Sequence, residues 1–270
     1  MVNKDEYLQR IGSATSAPIA SSEILHYLHV QHLRSIPYEN FDIILDCPLS
    51  LTEHDLFDKI IYQRRGGFCY ELNILFAHLL ESIDFDVELL SANLWKDEKW
   101  GPEYDHLILA VKSKENRDVW LADVGNARWF QRPMQLFDGS SYRELGITYR
   151  LTFDNDMYFF TRQEPNGEEI MQYRFTLQPR RAKDFADMCL FKETSSDSWF
   201  RQNIVYSQRT DEGSIILTNT QCSIIANGNR QETAIHSFDD FTNVFYQHWH
   251  YYPPLGLANF FRSNEKERAL

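Results

Sequence analysis

No two of the four cysteines, Cys47, Cys69, Cys189 and Cys222, form a C-x-x-C pair, so the chain carries neither the ligand spacing of a zinc site nor a disulfide framework. No apolar run approaches the length of a membrane span, and Met1-Val2-Asn3-Lys4-Asp5-Glu6 lacks the apolar core of a signal peptide. Positive charge is in deficit: the formal charge is −12, so the surface field repels nucleic acid and anionic membranes and admits a polyanionic ligand only at a local basic patch. Internal repeats and low-complexity tracts are also missing. These absences lead us to expect a cytoplasmic chain without metal, nucleic-acid or membrane partners, whose cysteines stay thiols. With 43% hydrophobic and 24% charged residues, its 270 residues suffice for one large domain or two to three small ones.

The most informative stretch is Arg64-Arg65-Gly66-Gly67-Phe68-Cys69-Tyr70-Glu71-Leu72-Asn73. Forward from Cys69, the residues Leu72, Leu75, Phe76, Leu79, Leu80 and Ile83 repeat with the period of one helix face, which places the thiol in the first turn. There the unpaired amides and the positive end of the helix dipole favour the thiolate, the nucleophilic form of cysteine. The competing reading is inert packing, because free cysteine is among the most buried residue types.

Up to residue 83 the chain reads as helical. Ser21 and Ser22 open a helix over 21–33 whose His26, His29 and His32 read as a solvated or partly packed face rather than a metal site, since no carboxylate or cysteine ligand accompanies them. Pro37 breaks that helix, and Thr52-Glu53-His54-Asp55 resembles a capping box for a second one running to Arg64. Strand-like segments follow at 86–92, 105–112, 118–125, 148–153, 157–163 and 170–178, then at 204–208, 214–218, 222–226 and 231–235, with Asn227-Gly228-Asn229 as a hairpin turn. Ser237 caps a closing helix. This pattern divides the chain at soft boundaries into 1–83, helical and holding Cys69; 84–195, an antiparallel sheet or small barrel; and 196–270, a mixed α/β end piece.

A nucleophilic cysteine needs a base, and the base needs an orienting group. If 105–112 and 118–125 pair about a turn centred between 114 and 116, His106 lies opposite a position within 122–126, and Asp123 falls in that window. Both residues are set among apolar neighbours, where a lone carboxylate is costly. A purely structural His–Asp pair inside the sheet satisfies the same pattern.

Over nearly its full length the chain resembles the arylamine N-acetyltransferases, in particular the bacterial ones. The resemblance rests on Tyr7-Leu8-Gln9-Arg10-Ile11-Gly12, Ile36-Pro37-Tyr38-Glu39-Asn40, Arg65-Gly66-Gly67-Phe68-Cys69-Tyr70-Glu71-Leu72-Asn73, Asp105-His106-Leu107 and Ala122-Asp123-Val124-Gly125, with 194–218 similar to the start of the family's third domain. It implies an α+β multidomain fold with an N-terminal helical bundle, a central antiparallel β-barrel and a C-terminal α/β lid, and a cysteine-protease-like triad of Cys69, His106 and Asp123. It further implies acetyl transfer from acetyl-CoA through a cysteine thioester to arylamines, arylhydroxylamines or hydrazines, of the kind associated with xenobiotic metabolism. Gly125, Asn126 and Ala127 would meet the cofactor, and Tyr38, Phe68 and Asn126 the acceptor. Arg10 and Glu39 would form a structural ion pair, with Arg65, Gly66 and Gly67 supporting the site. Arg128, Arg132, Arg180, Arg181 and Lys183 are the basic candidates for CoA phosphates. The chain departs from the family's Asp-x-Gly-Phe-Gly by reading Asp123-Val124-Gly125-Asn126-Ala127, and Ala92-Asn93-Leu94 lacks the family's usual arginine. The alternatives are a cysteine hydrolase or amide synthase on the same triad, and a non-catalytic binding homologue.

Overall fold

The computed structural model describes the backbone of residues 3–15, 19–113, 118–126 and 128–268, with side chains to residue 263. The turn expected between 114 and 116 and the loop residue Ala127 lie outside the described residues.

The N-terminal unit is helical because its apolar residues follow a helical period. Helix α1 (Lys4–Arg10) is capped by Asn3, and α2 (Ser22–Ser35) by Ser21, whose hydroxyl accepts the Ile24 N–H. The short strand β1 (Tyr38–Glu39) follows Pro37, then α3 (Phe41–Ile44) and α4 (Glu53–Phe57), the latter capped by Thr52 as expected. The helix expected to run on to Arg64 does not stay α: Asp58–Tyr62 is a π-helical turn. Helix α5 (Cys69–Ser82) starts at the cysteine, and its first nine residues are buried, as are Leu79 and Leu80 beyond His78.

The barrel unit is a nearly closed antiparallel sheet of nine strands. In chain order they are β2 (Asp86–Lys96), β3 (Lys99–Trp100), β4 (His106–Lys112), β5 (Val119–Ala122), β6 (Met134–Gln135), β7 (Ser141–Glu144), β8 (Ile147–Asp154), β9 (Met157–Gln163) and β10 (Glu169–Phe175). They are arranged β6-β5-β4-β2-β10-β9-β8-β7, with β3 paired to β2. Strand β4 reads as a continuous apolar run because it is buried on both faces: Leu107, Leu109 and Val111 enter the helical core, while Ile108 and Ala110 enter the barrel core with Tyr149 and Phe160. The sheet signal gave no warning of α6 (Ala186–Thr194), which closes this part of the chain.

After α7 (Trp199–Gln202), the C-terminal strands β11 (Val205–Arg209), β12 (Gly213–Thr218), β13 (Gln221–Ala226) and β14 (Asn229–Ala234) form an antiparallel meander, followed by α8 (Phe238–Trp249) and α9 (Ala258–Arg268). The β13–β14 turn places Asn227 and Gly228 at φ 50° and 80°, the left-handed geometry that an Asn-Gly hairpin turn demands. The fifth strand of this sheet comes from the other end of the chain: β1 pairs with β11, Tyr38 opposite Ser207 and Glu39 opposite Tyr206. Asn40 fastens the junction, donating to the carbonyls of Phe200 and Asn203 at 2.8 Å and accepting the Val205 N–H at 2.9 Å. Among the described residues, no helix is long and apolar enough to cross a membrane.

Candidate active site

The loop that delivers Cys69 is built on β1. Gly67 donates its N–H to the Pro37 carbonyl at 3.3 Å, and Glu39 donates to the Gly67 carbonyl at 2.9 Å. A Cβ on Gly66 would stand 2.2 Å from the Pro37 oxygen, so this close approach requires glycine. Glu71 reaches back to the Phe68 N–H at 3.1 Å and pairs with Lys59 at 2.7 Å, which also holds Asp42 at 2.6 Å. Burial raises the pKa of Glu71 and the Lys59 charge opposes that rise. Arg65 completes the cluster, with Glu39 and Asp42 both 2.8 Å from its guanidinium.

The structure does not show the Arg10–Glu39 ion pair implied by the resemblance. Arg10 instead donates to the carbonyls of Ser35 at 2.6 Å, Ile60 at 3.2 Å and Arg64 at 3.5 Å. Glu39 is occupied by Arg65 and by the Phe41 N–H. Helix ends present unpaired carbonyls, and Arg10 answers those of α2 and the π-helical turn.

His106 is 3% exposed and Asp123 2%. His106 Nε2 lies 2.8 Å from Asp123 Oδ2, leaving Nδ1 as the ring nitrogen available to Cys69. The pair meets differently from the expected cross-strand match. Strand β5 ends at Ala122, opposite Leu109; continuing that register sets Asp123 beside Ile108, so His106 is its diagonal neighbour on the same sheet face. Burial works to lower the His106 pKa, but the charge and hydrogen bond of Asp123, with hydrogen-bonding and charge contributions from Cys69, raise it to about 10. The raised value favours the protonated ring at neutral pH.

The carboxylate of Asp123 is held on every side. Oδ1 accepts from Asn73 Nδ2 at 2.9 Å and from the Gly125 N–H at 3.0 Å. Asn73, one turn beyond Cys69 on α5, also donates to the Leu107 carbonyl and accepts the Val124 N–H. His29 accepts the Asp123 backbone N–H at Nε2, 3.0 Å away, and its Nδ1 lies 2.7 Å from the Gln131 carbonyl, which makes it a neutral ring protonated at Nδ1. Burial pushes its pKa down to about 4. The expectation of a solvated or partly packed histidine face fails here, since His29 and His32 are both fully buried. Asn73 and His29 were not anticipated as parts of the site. Asn73 lay inside the nucleophile motif at helical spacing from Cys69, whereas His29 gave no signal, because its contact with Asp123 spans 94 positions.

Cys69, His106, Tyr38, Gly125, Asn126 and Trp129 line a cavity of about 760 Å³. Trp129 was also unforeseen; its ring packs edge-on against His106 at 5.5 Å. A Cβ on Gly125 would lie 2.8 Å from Cys69 Cα, so the loop lies directly against the nucleophile's backbone. Phe68, expected to touch the acceptor, does not line the cavity: it is fully buried and packs against Tyr70 and Phe200. Of the basic candidates for phosphate contact, Arg128 lines the cavity; Arg180 pairs with Glu103 and Arg181 with Asp184 away from it, and neither Arg132 nor Lys183 is part of its wall. Lys96 and Lys99 stand on the wall instead.

A family model described as N-acetyltransferase matches residues 22–250. The arylamine N-acetyltransferase of Mycolicibacterium smegmatis is 31% identical over 248 residues, covering 88% of this chain and 90% of that one. A solved structure of the M. smegmatis arylamine N-acetyltransferase superposes with a TM-score of 0.85 at 28% identity, covering 92% of both chains. The fold is also that of a Mycobacterium marinum arylamine N-acetyltransferase solved in complex with CoA, with a TM-score of 0.83 at 22% identity over 94% of this chain and 93% of that one.

Proposed function

The chain belongs to the arylamine N-acetyltransferase family, and from that premise we propose that it moves an acetyl group from acetyl-CoA through a thioester on Cys69 to an arylamine, arylhydroxylamine or hydrazine. The observation that carries this reading is the His106 ring, buried against Asp123 at 2.8 Å and facing Cys69 in the same cavity. The M. marinum relative's complex with CoA supports the donor. The cavity is large enough for a pantetheine arm and a flat acceptor in turn, and Lys96, Lys99 and Arg128 on its wall suit phosphate groups.

In the first half-reaction the Cys69 sulfur attacks the thioester carbonyl. The oxyanion meets amides of the first turn of α5, which a helix leaves without intrahelical partners. As the tetrahedral species collapses, the bond to the CoA sulfur breaks, and the His106 imidazolium protonates the departing thiolate. In the second, the amine nitrogen attacks the acetyl carbon, neutral His106 takes the nitrogen's proton, and the Cys69 thiolate leaves to restore the starting pair. Asp123 holds the ring throughout, and Asn73, His29 and the Gly125 N–H hold Asp123. Four cysteines without a disulfide are consistent with a cytoplasmic setting.

Intact-mass spectrometry tests the scheme. Acetyl-CoA alone should add one acetyl group to the wild-type chain and none to Cys69→Ala, and the adduct should persist in water but clear when an aromatic amine is added. Loss of the adduct in water without amine would mark a hydrolase, and absence of any adduct a binding protein.

A further inference from the structure

A second cavity, of about 420 Å³, is lined by Arg10, Arg64, Gln208, Tyr206, Trp249 and Tyr251 among others. Its distinguishing group is Arg10, which is 9% exposed and pairs with no carboxylate among the described residues. A guanidinium carries five N–H groups; three of those on Arg10 are given to backbone carbonyls, the Nη2 bond to Arg64 being long at 3.5 Å. Glu39, the acid that the resemblance paired with Arg10, has one oxygen on Arg65 and the other on the Phe41 N–H. Arg64 adds a second cation to the cavity lining and carries φ 55°, a conformation uncommon for a residue with a side chain. In a chain of net charge −12, two arginines at one concavity with no carboxylate paired to them among the described residues form a marked local exception.

The rest of the wall is aromatic and already ordered. Tyr206 and Tyr251 join through their hydroxyls, and Trp249 Nε1 donates to Gln208 Oε1 at 2.7 Å. The Tyr206 ring packs edge-on to Trp249 at 4.6 Å. We propose that this cavity is a binding site for a small aromatic carboxylate, whose carboxylate meets the free N–H groups of Arg10 and whose ring lies among Tyr206, Tyr251 and Trp249. Planar, two-pronged recognition of a carboxylate is what an arginine fork offers, and the aromatic wall selects a ring over an aliphatic acid. The Pro37 carbonyl, which receives the Gly67 N–H, belongs to a residue of this same cavity, so an occupant touches the segment that carries Cys69 from behind.

Isothermal titration of the full-length protein with sodium benzoate tests the site without reading turnover, so its failure would leave the transferase reading intact. Benzoate should bind with a Kd at or below about 1 mM, and acetate about tenfold or more weakly. Arg10→Lys, which keeps the charge but loses the fork, and Arg64→Gln should each weaken benzoate at least about fivefold, while Arg128→Gln in the large cavity should leave it unchanged. Should Arg10→Lys fail to fold, the tryptophan emission change on adding benzoate provides the second readout: it should vanish in Trp249→Phe. The proposal is overturned by no binding at about 10 mM benzoate, by equal affinity for acetate, by loss of binding in Arg128→Gln, or by an emission change that survives Trp249→Phe.

Discussion

Asp123 is the residue on which most of the site converges, since its carboxylate takes hydrogen bonds from His106, Asn73 and Gly125 while its backbone N–H donates to His29. Asp123→Asn should fold, because the amide can keep several of these contacts, yet acetyl transfer should fall by about three to four orders of magnitude as the ring loses its orienting charge. The pH dependence separates this from simple damage. With the His106 pKa raised to about 10, the wild-type imidazolium persists well above neutrality. In the imidazole NMR spectrum the His106 ring should therefore stay protonated from about pH 6 to pH 8, whereas in Asp123→Asn it should lose its proton at lower pH. A wild-type ring that loses its proton near 6.5 would rule out the imidazolium held by Asp123. Cys69, His106 and Asp123 were legible in the chain because a helix period and a hairpin both act over short separations. Asn73 was visible but unread. His29 was illegible, since a histidine on a helix looks the same whether its far side meets water or a carboxylate loop. The family's aromatic residue is missing at Asn126, and the nearby indole is that of Trp129, buried beside His106 and three residues further on.

Elements joined by local turns were readable, and those joined across the chain were not. The hairpin at Asn227-Gly228 and the caps at Ser21, Thr52 and Ser237 formed where their residue types require. The pairing of β1 with β11 had no local signature: two residues following a proline do not announce a strand, and their partner lies more than half the chain away. This junction makes Asn40 the element-scale test. Removing its side chain strands the carbonyls of Phe200 and Asn203 and the Val205 N–H in a mostly buried seam. Asn40→Ala should cost about 2–4 kcal/mol and lower the melting temperature by about 5 °C or more, measured by calorimetry. A change within about 1 °C would mean that the strand pairing alone holds the seam.

Across the whole molecule, two buried histidines tilt stability in opposite directions with pH. His29 has its pKa lowered from 6.5 to about 4, so it contributes stability above its unfolded value that is lost as pH falls towards 4. His106 is raised to about 10, so its contribution is complete below the unfolded value near 6.5 and is lost as pH rises towards 10. Thermal stability should therefore peak near about pH 6.5. His29→Gln should flatten part of the acid limb, the rest belonging to fully buried His32, whose pKa burial also lowers, and Asp123→Asn should flatten the alkaline one; a melting temperature unchanged across both limbs would contradict these placements.

The seam between β1 and β11 also bears on how the protein is made. The Asn40 side chain waits for the Val205 amide, 165 positions later, before the segment leading to Cys69 is latched. A ribosome will have released Cys69, His106 and most of the barrel from its exit tunnel while that latch is still open. Chains cut short before β11 would carry Cys69, His106 and Asp123 and still lack the strand that pairs with β1, so the proposed transfer should be absent from them.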